Sequence, residues 1–206
     1  TYTYEQGSNK LSQVIGEKPI TFDYDPNGNT ASENSRTYEY DSSNRLTRVK
    51  ENDMTIVEYV YNGAGQRVLK RLPDETRIFH YDHLGHLIAE TDQNGQTVSE
   101  YIYIGEQLLA MMREGDTYYY HNDHLGTPQI LTDSTGQVVW KADYTAFGET
   151  EILIEAVENP FRFPGQYYDE DTGLHYNYFR DYNPRIGRYM TPDPIGLGGG
   201  INLFEY

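Results

Sequence analysis

The chain has 206 residues, 16 basic and 32 acidic, and its net charge of −16 opposes binding to a phosphate backbone, so nucleic acid is not an expected partner. It has no cysteine, which removes disulfide frameworks and thiolate metal sites. No apolar run approaches the ~20 residues of a membrane span, and the opening TYTYEQGSNK lacks a signal-peptide apolar region. The expectation is export by a route this segment does not encode, or an internal piece of a longer polypeptide.

Tyrosine is the outlier, at 21 residues beside 7 Phe, one Trp and 19 Gly. Tyrosine favours strands and tolerates a wet edge, so this composition predicts short strands joined by tight turns. A Tyr-rich surface that binds carbohydrate or a partner protein has the same composition and is the alternative reading.

In chain order, one pattern recurs: an aromatic pair at i and i+2, then Asp or Asn, a turn, and an apolar residue. It appears as FDYDPNGNT from Phe22, YEYDSSNRL from Tyr38, YVYNGAGQRV from Tyr59 and FHYDHLGHLI from Phe79. It continues as YIYIGEQLL from Tyr101, YYYHNDHLGTPQIL from Tyr118 and a weaker WKADYTAFGE from Trp140. The second aromatics are read as Tyr24, Tyr40, Tyr61, Tyr81, Tyr103, Tyr120 and Tyr144. Residues i and i+2 share one strand face, and the Asx and Gly positions supply a reversal, so each unit predicts a β-hairpin. One hairpin is marginal alone, so the units are expected to stack as an all-β antiparallel meander. DPNGN and DQNGQ fit type I′ or G1-bulge turns and lack the full ligand set of a calcium loop. EQLLAMMREG is ambiguous between helix and strand, and ILIEAVENP reads as a loop or turn.

His80, His83, His86, His121, Asp123 and His124 fall in the repeat's own turns, where turn and packing roles are expected; no metal or cofactor is expected. Near residue 155 the repeat stops, dividing the chain into an array over 1–154 and an irregular cap or plug over 155–206. There Asp169, Glu170 and Asp171 read as a solvated loop and not as a glycosidase pair. Asp193 lies between Pro192 and Pro194, which suits either a turn-capping carboxylate or one member of an acid pair sharing a proton. The second acid would be Asp181 or one beyond Tyr206.

The stretches YYYHNDHLGTPQILTDSTGQVVWKADYTAFGE, PFRFPGQYYDEDTGLHYNYFRDYNPRIGRYMTPDPIGL and GGINLFEY closely resemble the C-terminal part of the Rhs/YD-repeat family, the shells of bacterial polymorphic toxins. The resemblance implies a curved, spiralling sheet that closes as a hollow shell around a C-terminal toxin domain, with the end of the repeat region as a plug. It implies an aspartate-dependent self-cleaving site, with Asp193 as the aspartate of DPIGL and Arg188 as the arginine of GRY. Asn183 stands where the family usually has Asp, which leaves Asp181 as the neighbouring carboxylate. Cleavage would belong to the full-length parent, and this stretch alone is expected to be inactive. The implied partners are the toxin domain, its immunity protein and a secretion-apparatus spike. The implied setting is a secreted or cell-surface bacterial protein of contact-dependent competition, with type VI secretion among the routes. Seven hairpins are too few to enclose a folded domain, so a longer parent or self-association through sheet edges is expected.

Overall fold

The computed structural model describes residues 1–206. Sixteen strands, from β1 (Tyr2–Tyr4) to β16 (Thr150–Glu155), pair antiparallel in sequence order as one sheet that does not close on itself. The turns that drive this order are local. Asp41, Asn62, Asp82 and Asp123 each accept the backbone N–H groups two and four residues on. The N–H three residues on bonds back to the carbonyl of the same Asp or Asn, and the residue there takes a positive φ, as Gly85 does at 92° and Asn44 at 60°. These are G1-bulge turns, and the register slips beside them, between Glu39 and Tyr40 and between Val60 and Tyr61. A type I′ turn joins β6 (Leu46–Glu51) to β7 (Met54–Tyr61), with Asn52 and Asp53 both at positive φ.

The two aromatics of a unit do different work. Phe22, Tyr38, Tyr59, Phe79, Tyr101 and Tyr120 face inward and are 4–7% exposed. The residue two positions on is half-buried, and in all of these units but that of Tyr101 its side chain reaches the carbonyl at or near the start of the preceding unit's returning strand. Tyr24 donates to Leu11 at 3.0 Å, Tyr40 to Thr30 at 2.9 Å, Tyr61 to Leu46 at 2.8 Å, Tyr81 to Arg67 at 2.9 Å and Tyr144 to Pro128 at 2.7 Å. Each of these units is thereby locked to the one before it. Inward, packed rings are the arrangement of a wall; a carbohydrate platform needs a solvated row.

This register corrects the sequence reading in places. In the sixth unit Asn122, not Tyr120, makes the lock, donating to Leu108 at 2.8 Å, while Tyr120 is the inward ring. Tyr2 and Tyr4 begin a further unit, overlooked in the sequence, with the same slip at Tyr4. EQLLAMMREG is β12 (Gln107–Arg113), a strand because tight reversals flank it at Gly105 and at Glu114–Gly115. ILIEAVENP supplies β16 and so is not a simple loop: Ala156 donates to Val139 and prolongs the pairing with β15 (Val138–Tyr144).

After β16, a second sheet forms from β17 (Tyr167–Asp169), β18 (Leu174–Asn177), β19 (Arg180–Asn183) and β20 (Arg188–Tyr189). Its segment completes all three apolar clusters. Val157 packs with Phe79, Tyr101 and Trp140, Leu174 and Met190 with Tyr38, Val49 and Tyr59, and Ile186 with Leu11 and Phe22. One short segment can touch the sheet from β2 (Leu11–Val14) to β15 only if the sheet curves round it. Tyr182 donates to Phe147 in the last turn at 2.9 Å, and Arg188 to Asn9 in the first loop, so the two ends of the sheet approach across it.

Tyr61→Phe is expected to cost about 1 kcal/mol in denaturant unfolding, because the Leu46 carbonyl loses its donor. Tyr103 holds the same place in its unit, but its ring stacks on His86 at 4.7 Å and its phenol makes no hydrogen bond, so Tyr103→Phe is expected to leave the midpoint nearly unchanged. Equal losses from the two variants would refute the lock.

Candidate functional site

The residues singled out in the C-terminal segment lie apart. Asp193 accepts the Ile195 N–H at 2.9 Å through Oδ1 and pairs with Arg180 Nη2 at 3.3 Å through Oδ2. Its own N–H donates to Leu203 and its carbonyl accepts from Gly196, which leads into a 3₁₀ turn over Gly196–Gly198. The Arg180 guanidinium is in turn 3.6 Å from the Tyr189 ring centroid. Arg188 is buried on β20, 5.1 Å from the Phe204 ring and 5.5 Å from that of Tyr4, and pins the segment to the first hairpin. Asp181 is 5% exposed on β19 and no group donates to its carboxyl. Burial pushes it up to about 7, with Arg67 opposing and the charge of Asp169 adding. No hydrogen bond or ion pair joins Asp193, Arg188 and Asp181 to one another.

The strongest constellations lie instead where the segment meets the sheet, and each is built round a buried carboxylate. Asp169, 1% exposed, receives Lys70 Nζ at 2.6 Å, Arg67 Nη1 at 3.0 Å and the Tyr59 hydroxyl. Burial works against its ionisation, but Lys70 and Arg67 hold its carboxyl below the ordinary aspartate value. Arg67 is itself 1% exposed, with its guanidinium 4.2 Å from the Tyr176 ring and 4.4 Å from that of Tyr59. Glu90 receives Arg77 at 2.8 Å, the Tyr101 hydroxyl at 2.5 Å and the Tyr167 hydroxyl at 3.2 Å. Glu33 receives the Tyr38 hydroxyl at 3.2 Å, Asn183 Nδ2 at 3.3 Å and Arg185. Each cluster takes one phenol from an inward ring of the wall and at least one member from the C-terminal segment.

Asp169 therefore corrects the reading of Asp169–Asp171 as a solvated loop; only Glu170 is exposed, and Asp171 pairs with Lys70. A signal was present in the repeat register. The residue paired across the strands with the inward ring is Val49, Met111 or Leu131 in some units, but Glu33, Lys70 or Glu90 in others. A charge at a position that faces inward needs a partner.

The histidines take separate places. His80 and His121 bond across strands to Thr91 and Thr132 at 2.9 and 3.0 Å, while His83 and His124 sit exposed at turn tips. His86 bridges Glu106 and Asp82 at 2.9 and 3.0 Å, and the Glu106 bond in particular raises its pKa.

Comparison with known proteins accords with this architecture. The profile of the Teneurin YD-shell family matches residues 9–197. The chain is 33% identical to double-stranded DNA deaminase toxin A of Burkholderia cenocepacia (strain H111), over 95% of this chain and 16% of that protein. It is 35% identical to tRNA nuclease WapA of Bacillus subtilis (strain 168), over 98% of this chain and 9% of that protein. It thus spans less than a fifth of either relative. The crystal structure of TcdB2-TccC3 superposes on the whole chain with a TM-score of 0.71 at 20% identity, using 13% of that larger chain.

The Asp181 environment has a pH signature. Its folded value near 7 lies above the ~3.9 of an unfolded aspartate, so the native state holds the extra proton between them. Its cost to stability is absent below about pH 4, grows as pH rises and is complete above about pH 7. Asp181→Asn, which cannot ionise, is expected to stabilise the fold at pH 8 by up to about 4 kcal/mol and to change little at pH 4. Denaturant unfolding at both pH values checks this; a gain that is equal at the two would refute it.

Proposed function

The chain belongs to the Teneurin YD-shell family, and from that premise we propose how its parts divide the work of a shell module. Residues 1–154 are a section of wall, and residues 155–206 are a plug that seals the inner face of that section. In the parent polypeptide the wall continues and encloses a C-terminal toxin domain, as the toxin relatives suggest. An immunity protein neutralises the released toxin, and a secretion spike or another export route delivers the shell in competition between bacteria. The free edges of β1 and β16 are where further wall pairs, from the parent or from a second copy.

The observation that carries this reading is the seating of the C-terminal segment on Glu33, Asp169 and Glu90 clusters distributed along the inner face. Removing one partner of a buried ion pair typically costs 3–5 kcal/mol, because the other charge is left uncompensated. A plug held this way stays seated until its carboxylates or their partners are removed. In the parent, the polypeptide after Tyr206 is expected to resist protease in the native protein and to become cleavable in Asp169→Ala, which strands Arg67 and Lys70. Digestion of that polypeptide at equal rates in both proteins, followed by mass spectrometry, would count against an enclosed cargo.

We also propose that the parent cleaves itself beyond Tyr206 with Asp193 as one carboxylate of the site, and that Arg188 and Asp181, which make no bond to it in this chain, join it only when downstream residues complete the site. Arg180 fixes the Asp193 carboxyl through their ion pair, which suits positioning of a water; a second acid then comes from Asp181 or from downstream residues. Expression of the parent with Asp193→Asn is expected to give a single uncleaved polypeptide. Two fragments in undiminished yield would remove Asp193 from the reaction.

A further inference from the structure

A cavity of about 380 Å³ lies between the C-terminal segment, β16 and the turn after β8 (Arg67–Arg71), and its charges do not balance locally. Most of the lining ions are already paired: Lys70 with Asp171, Arg77 with Glu75, and Glu158 with Arg113. Arg162 is different. It is 4% exposed, its guanidinium is 4.4 Å from the Tyr168 ring, and no carboxylate lies within ion-pair distance. Its Nη1 donates to the Asn159 and Phe161 carbonyls at 2.6 and 2.8 Å. Its Nε is buried without a partner and its Nη2 makes no hydrogen bond, so one planar edge of the guanidinium is free.

A second donor shares the cavity. Asn159 is 2% exposed, and its orientation is fixed because Oδ1 accepts both the Tyr120 hydroxyl at 3.0 Å and the Phe161 N–H at 3.1 Å. Its Nδ2 therefore remains a donor, and it too is buried without a partner. Leaving a buried cation and a buried amide unmatched is costly, and the Nε/Nη2 edge matches the two oxygens of a carboxylate. Among the lining residues, Glu155 and Glu170 are exposed and unpaired. These acids disfavour a multiply charged anion such as phosphate but suit a ligand that carries its own cation.

We propose that this cavity binds a small zwitterion of the α-amino-acid type, with its carboxylate on the free edge of Arg162 and on Asn159 Nδ2, and its ammonium toward Glu155 and Glu170. The site is independent of the shell reading, since it rests only on groups within the chain. Titration calorimetry of the chain with glycine, sodium acetate and methylammonium chloride tests it. Glycine is expected to bind saturably, at least about tenfold more tightly than either one-ended probe, because each charge-assisted contact is worth that factor or more. Arg162→Lys, which keeps the charge but loses the planar edge, is expected to weaken glycine by about tenfold or more. Glu155→Gln with Glu170→Gln is expected to reduce glycine to the level of acetate while leaving acetate unchanged. Absence of saturable glycine binding, or binding indifferent to Arg162→Lys, would overturn the proposal. A crystal structure of the unsubstituted chain grown with glycine provides a readout that does not depend on how the variants fold. A carboxylate on the Nε/Nη2 edge supports the site, and an ordered water alone, or an adventitious additive only, overturns it.

Discussion

A charged side chain taken out of water must meet an opposite charge or a set of donors, and this sheet places Glu33, Lys70 and Glu90 on the face it turns inward. Within the sheet only Glu90 meets an opposite charge, that of Arg77, while Glu33 and Lys70 find theirs in Arg185 and Asp169. Asp169, Tyr167, Asn183 and Arg185 all come from the C-terminal segment, so the inward charges are fully matched only with that segment in place. Buried ion pairs add little net stability compared with apolar contacts of the same size, but they discriminate sharply against wrong registers. Here they set where along the inner face the segment sits, while Val157, Leu174, Met190 and Ile186 supply the apolar burial that holds it there.

The two kinds of contact act over different ranges. The phenol-to-carbonyl locks join each unit only to its predecessor, which gives the array nearest-neighbour energetics in which hairpins could open one at a time. The C-terminal segment adds contacts across nearly the whole sequence, from Arg188 with Asn9 to Tyr182 with Phe147. Opening one hairpin therefore exposes part of a shared interface, and a locally stabilised ribbon becomes a cooperative body. The same contacts curve the sheet, because a flat sheet could not bring Leu11 and Trp140 onto one short segment.

What could be read from the sequence follows this division. The hairpins, the inward rings and the bulged turns are decided within about one unit, and the Y-x-Y and Asp-x-x-Gly spacings showed them. Tyr118–Tyr119–Tyr120 misled because identity alone does not say which ring faces inward; the slip between His121 and Asn122 decides it and gives the lock to an amide. Asp169 was beyond local reading, since its partners Arg67 and Lys70 lie 102 and 99 positions away. Asp193 shows the opposite case. Its turn role was legible in Pro-Asp-Pro and is present in its bond to the Ile195 N–H, whereas its ion pair with Arg180 carried no comparable local mark.

The two edges of the sheet differ in what further pairing would cost. At β16 the exposed Leu153 and Ile154 are flanked by Glu151 and Glu155, so a strand added there must bring compensating charge or leave carboxylates partly desolvated. At β1 the residues are Tyr2, Thr3 and Tyr4, with no charge to bury. The rings of Tyr2 and Tyr4 are 41% and 45% exposed, and the Tyr4 phenol lacks the lock that Tyr24, Tyr40 and Tyr61 make. Adding a hairpin at β1 would cover both rings and give that phenol a carbonyl, repeating a contact already made along the array. The chain thus has a charged edge at β16 and an uncharged, aromatic one at β1.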